Sequence, residues 1–123
     1  MLTKQLSSTY DYLAPDGSEI RLLAATGAGG LCHCTLPSGK TSSPVKHESV
    51  QELWYVLAGK GEIWRNDGHD DLVTPAEPGV SLLIDPGTRF QFRCLGPLPL
   101  EILIVTMPKW PGAHEAEAAP GYW

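Results

Sequence analysis

Residues able to move protons or hold a ligand are sparse in this 123-residue sequence, and the pair that stands out is His47 and Glu52. Glu52 begins the run ELWYVLA, Glu52 to Ala58, whose other residues are all apolar or aromatic. A carboxylate in such company costs free energy to bury unless it is paired, and His47 is the obvious partner. The pair has two readings: a structural His/Glu contact, or an acid/base couple whose protonation is tuned by the apolar wall around it. Strand alternation puts Glu52, Trp54 and Val56 on one face and Leu53, Tyr55 and Leu57 on the other. Trp54 therefore stands beside the carboxylate, either as core or as a stacking wall for a sugar or aromatic ring.

Cys32-His33-Cys34 has the composition of a metal motif. On a strand the two cysteines face one way and the histidine the other, so the three do not converge on one ion, and buried unreactive thiols are the ordinary reading. Phe90, Phe92 and Cys94 share one strand face, with Gln91 and Arg93 opposite, so Cys94 is a further candidate for a substitute ligand. His69 follows Gly68 in a turn and is expected in solvent, and His114 belongs to the C-terminal segment.

The elements that must position these residues are short strands. Gly 13 and Pro 11 make 24 of the 123 residues, roughly one in five where one in eight is ordinary. They cut the chain too often for bundle helices or for a membrane span of about twenty apolar residues. Strands are expected at Thr9 to Leu13, Glu19 to Thr26, Leu31 to Leu36, Val45 to His47 and Glu52 to Ala58. Glu62 to Asn66, Asp70 to Thr74, Val80 to Ile84, Arg89 to Leu95 and Leu98 to Met107 complete the set, with turns at Ala14 to Gly17 and Asp67-Gly68 and a loop over Pro75 to Gly79. This spacing predicts an all-β sandwich or barrel. Residues 1–107 form the expected domain, and residues 108–123 form an extension whose Trp110, Tyr122 and Trp123 point to docking on the barrel or on a neighbouring subunit. A single turn of helix is the most that His114 to Ala119 can form.

Net charge is −5, with 9 basic against 14 acidic residues and no basic cluster, which argues against a nucleic-acid partner. Three cysteines, an odd number, and a mostly polar Met1 to Tyr10 predict free thiols and a cytoplasmic location without membrane association.

From Gly39 to Gly59, GKTSSPVKHESVQELWYVLAG resembles the first signature of the cupin superfamily: Gly, five residues, His, one, His, three or four, Glu, six, Gly. Gly39, His47, Glu52 and Gly59 fall at the expected spacing. The second signature, over residues 79–94, is matched by Gly79 and Gly87, with Asp85 at its Pro position and Cys94 at its Asn position. The resemblance spans roughly Glu19 to Met107 and implies a double-stranded β-helix, a jelly-roll barrel that is commonly a homodimer. It also implies an inward-facing metal site, but Val45 stands at the first His position and Phe90 at the last. Only His47 and Glu52 remain of the four ligands, fewer than the three that firm binding usually needs.

In the register that the resemblance implies, His47 and Glu52 share the barrel interior with Val45, Trp54, Phe90 and Phe92. Arg89, after Pro86-Gly87-Thr88, is expected near the barrel mouth, where it could hold a ligand carboxylate or phosphate or simply be solvated. Leu53, Tyr55 and Leu57, with Trp64 if its register agrees, are candidates for an apolar dimer contact. The leading functional expectation is a barrel that binds a small organic molecule. The alternatives are a metal-dependent enzyme of the dioxygenase or isomerase type, using Zn, Fe, Mn or Ni on His47 and Glu52, and a metal-free enzyme resembling sugar epimerases with His47 as base.

Overall fold

The computed structural model describes residues 1–123. The chain forms eleven strands: β1 (Tyr12–Leu13), β2 (Glu19–Ala25), β3 (Gly30–Leu36), β4 (Val45–His47), β5 (Gln51–Ala58), β6 (Gly61–Asn66), β7 (Asp71–Ala76), β8 (Ser81–Ile84), β9 (Arg89–Cys94), β10 (Leu100–Met107) and β11 (Ala116–Ala118). They make two antiparallel sheets, one of six strands in the order β1-β2-β3-β10-β5-β8 and one of five in the order β11-β4-β9-β6-β7. No helix is long and apolar enough to cross a membrane.

Period-two alternation sets the core. Along β10 every second residue is buried, Leu100, Ile102, Ile104 and Thr106 facing inward. β5 does the same with Glu52, Trp54 and Val56, while β9 contributes Phe90, Phe92 and Cys94 from the opposite sheet. All of these except Glu52 and Thr106 belong to one cluster of sixteen buried apolar residues between the sheets. β4 sends Val45 and His47 inward and leaves Lys46 outside, and the register pairs Val45 with Phe90.

Three departures from the expected strands have local causes. β1 is reduced to Tyr12–Leu13 because the Asp11 carboxylate accepts the Leu22 N–H at 2.7 Å and Ser7 and Thr9 bond one another, competing with ladder formation. β7 runs through Pro75 to Ala76, where a loop is expected. It is an edge strand, so the N–H that proline lacks has no neighbour to serve. In the extension the expected helical turn is a short 3-10 turn at Ala113–Glu115, and β11 then adds to the edge of β4 with Ala116 opposite His47.

The remainder of the extension lies on the outer face of the five-stranded sheet. Gln91 Oε1 accepts the backbone N–H groups of Tyr122 and Trp123 at 2.9 and 3.0 Å, and Gln91 Nε2 donates to the Ser42 carbonyl. Tyr122 stacks on Trp64, and the Arg93 guanidinium sits 4.4 Å over the Trp123 ring. An outward-facing glutamine is thereby buried.

At the β5–β6 turn two glycines are required by space. Gly59 has φ +89° and approaches Pro99, and a Cβ on Gly61 would overlap the Arg93 carbonyl oxygen. Gly61→Ala is expected to destabilise the protein by about 1–3 kcal/mol through this overlap. Gly27→Ala, where a Cβ meets nothing within 4 Å, is expected to be neutral, and urea denaturation of the two variants checks the contrast.

Candidate functional site

The two sheets diverge at one end around a cavity of about 720 Å³. Its floor is built by β4, β5 and β9, and its side is closed by the extension. His47 and Glu52 line it from adjacent elements and are 5 % and 6 % exposed. Val45, Trp54 and Phe90 also line it, joined by Trp110. Around His47 the aromatic rings pack edge to face. Phe90 and Trp110 each stand 5.2 Å from the imidazole centroid, and Trp54 stands 5.6 Å from Phe90 and 5.1 Å from Phe92.

His47 Nδ1 lies 3.9 Å from Glu52 Oε1, beyond hydrogen-bonding reach. The bond to Glu52 comes instead from Trp54, whose indole Nε1 donates to Oε1 at 3.0 Å. Residues two apart on a strand share a face, so the pattern Glu-x-Trp in β5 carries the partner that the expected His/Glu pairing leaves out. Nδ1 of His47 is buried without any hydrogen-bond partner.

Desolvation holds both groups near neutrality of charge. Burial pushes the Glu52 carboxyl up to about 7; the Trp54 hydrogen bond opposes the shift and the Asp16 carboxylate adds to it. Burial pushes the His47 imidazole down to about 4, with Glu115 pulling the other way. Between those values a carboxylic acid faces a neutral imidazole rather than an ion pair. The polar atoms left accessible to a ligand are the other two, His47 Nε2 and Glu52 Oε2, neither of which has a protein hydrogen-bond partner.

The other expected site residues divide. Phe92 is fully buried behind Trp54 and does not line the cavity. Arg89 is not at the cavity mouth. It starts β9 facing outward, donates to Asn66 Oδ1 at 2.9 Å and lies 5.8 Å over the Trp64 ring. Cys32 lines the cavity, and burial pushes its thiol up to about 12. Cys94 is buried elsewhere and its Sγ donates to the Leu98 carbonyl. His33 faces the other side of its sheet, 3.3 Å from Glu101.

Sequence reasoning missed Glu115. Its carboxylate accepts the N–H groups of Ser49 and Val50 and the Ser49 hydroxyl, pinning the extension to the β4–β5 turn. Burial raises its pKa, but those donors and His47 outweigh burial and hold it below its ordinary value.

A Cupin domain family matches residues 32–106, the stretch that carries His47, Glu52, Trp54 and Phe90. The chain is a cupin. An uncharacterized protein of Methanocaldococcus jannaschii is 28 % identical over 125 residues, covering 94 % of this chain and 95 % of the relative. Among solved structures, ectoine synthase from P. lautus superposes with a TM-score of 0.75 at 19 % identity, over 100 % of this chain and 93 % of that one. A predicted oxalate decarboxylase from Thermotoga maritima superposes with a TM-score of 0.69 at 23 % identity, over 88 % and 99 % of the two chains. At such identities the likeness establishes the double-stranded β-helix fold and not a shared activity.

The residues present do not fit the metal that the cupin signature implies. No three His, Cys, Asp or Glu side chains converge anywhere in the chain, and at the signature positions Val45 and Phe90 offer no lone pair.

The sign of the pH dependence follows from the two shifted groups. Glu52 binds its proton more tightly when folded, so its contribution is full below its ordinary value and is lost as pH rises through about 7. His47 binds its proton less tightly when folded, and its contribution grows as pH rises from about 4 to its ordinary 6.5. The two nearly cancel in the wild type. Glu52→Gln removes one of them, so its stability relative to wild type is expected to improve by about 3 kcal/mol between mildly acidic and mildly alkaline pH. Thermal and chemical denaturation across that range read the difference directly.

Proposed function

We propose that this cupin binds a small organic molecule in its barrel, held by His47 and Glu52 against a wall formed by Val45, Trp54, Phe90 and Trp110. The observation that carries the reading is an apolar cavity lined by His47 and Glu52, in which His47 Nε2 and Glu52 Oε2 stay accessible without a protein partner. A hydroxyl or carbonyl of the ligand would gain about 0.5–1.5 kcal/mol for each hydrogen bond it makes with these atoms. The volume lies in the usual range for small-molecule sites.

A second reading is proton transfer without a metal, favoured by the Glu52 carboxyl standing near 7 in a cavity. The epimerase-like alternative assigns the base role to His47. With its pKa held near 4, His47 is a weak base, and Glu52 is the better exchanger.

Native mass spectrometry of protein purified without a chelating column tests the binding reading. A bound organic mass is expected in the wild type and its occupancy is expected to fall at least about tenfold in His47→Ala. A stoichiometric Zn, Fe, Mn or Ni that is lost in His47→Ala would sink this reading in favour of a metal-dependent enzyme.

We further propose a homodimer through the outer face of the six-stranded sheet, where Leu53 and Tyr55 are each 47 % exposed and Leu57 and Leu83 join them. A groove of Leu53, Tyr55, Leu83, Leu103 and Val105 carries no charge at its centre, so the face can meet its own copy without like-charge repulsion. Trp64, a sequence candidate for this contact, is buried on the other sheet, where it is bonded to Asp71 and covered by Tyr122. Light scattering is expected to give twice the 13.3 kDa chain mass for wild type and the single mass for Leu53→Glu/Tyr55→Glu.

A further inference from the structure

The cavity changes character from mouth to floor. At the floor, His47, Glu52 and the rings of Trp54 and Phe90 are buried. Trp110 is half-buried beside His47, and its neighbour Lys109 is exposed at the mouth with its stem near Gly30, between β2 and β3. Lys4, from the exposed N-terminal segment, lines the same mouth. These two are the only basic side chains along the cavity apart from His47 itself, and neither has an acidic partner within 4 Å. The four arginines are all engaged elsewhere, with Ser7, Ser8, Thr35, Leu83, Thr74, Asn66 and Glu62.

The remaining titratable groups facing this space settle where an anion can sit. Glu52 at the floor, its carboxyl pushed up to about 7, offers an anion no positive charge. Asp16 lines the side, its carboxylate occupied by the Ser18 N–H and hydroxyl at 2.9 and 2.6 Å. Burial leaves Tyr12 and Cys32 uncharged, both at about 12. On a chain of net charge −5, two ammonium groups without an acidic partner put positive charge at the mouth of a largely apolar cavity.

Resting on the binding function proposed above, we infer that the ligand is an amphipathic anion. A carboxylate or phosphate is held at the mouth by Lys4 and Lys109, and an apolar body lies along Trp110 and Phe90. A hydroxyl or carbonyl at the far end hydrogen-bonds His47 Nε2 and Glu52 Oε2. The distribution of charge thus selects both a ligand class and a direction of entry, polar neutral end first.

Isothermal titration calorimetry with three matched probes tests this. Hydroxyphenylpropionate, hydroxyphenylpropanol and tyramine share the phenol and differ in charge at the other end. The acid is expected to bind about tenfold tighter than the alcohol, with the amine weakest. Lys4→Glu/Lys109→Glu is expected to remove that preference while leaving the alcohol within about twofold of its wild-type affinity. Equal affinities for acid and alcohol, or a charge reversal that weakens both alike, would overturn the anion assignment and leave the cavity reading standing. Heat from none of the probes on either protein would overturn both.

Discussion

The structure turns on one buried carboxyl group. Glu52 sits between two sheets whose facing side chains are otherwise apolar, and the protein answers its desolvation with an indole hydrogen bond rather than a counter-charge. Pairing a buried carboxylate with a charged imidazole would require two ions to leave water, which rarely returns its cost. Keeping both groups uncharged avoids that cost and leaves two adaptable hydrogen-bonding atoms at the bottom of a cavity. The aromatic rings around them exclude water and fix the orientation of the imidazole.

The Val45 and Phe90 pair belongs to the same solution. Their register places them across from one another beside His47, where the signature has donor side chains in metal-binding cupins. With the donors gone, the space is apolar and Phe90 packs its ring against both His47 and Trp54. The scaffold persists while the coordination chemistry does not, a separation that cupin folds permit because the strands hold their register by backbone bonds and interior packing rather than by the ion.

Much of the fold was legible because alternation is a local property. Period two alone groups Glu52, Trp54 and Val56 on one face and Phe90, Phe92 and Cys94 on another, the resemblance to cupins implies that the faces holding Glu52 and Phe90 turn inward, and each of the six is buried. What alternation does not tell is which sheet a strand joins. Trp64 and Leu53 both point away from the core, yet they lie on opposite sheets, so they form no common surface. Gln91 and Glu115 were illegible for a different reason: their burial depends on where the extension docks, a long-range contact with no periodic signature. Arg89 likewise found a local partner in Asn66, which sits opposite it in the register of β6 and β9.

The placement of β10 and β11 has a consequence for assembly. β3 meets its partner β10 across most of the chain, and β4 is flanked by β11 from far downstream. Contacts so distant in sequence must await costly loop closures, so chains of this topology acquire their last strands slowly. The side of the cavity that Trp110 and β11 close beside His47 is missing until those strands arrive. A small molecule that fits the cavity can recognise only the finished barrel, and its binding therefore draws the folding equilibrium toward completion by mass action.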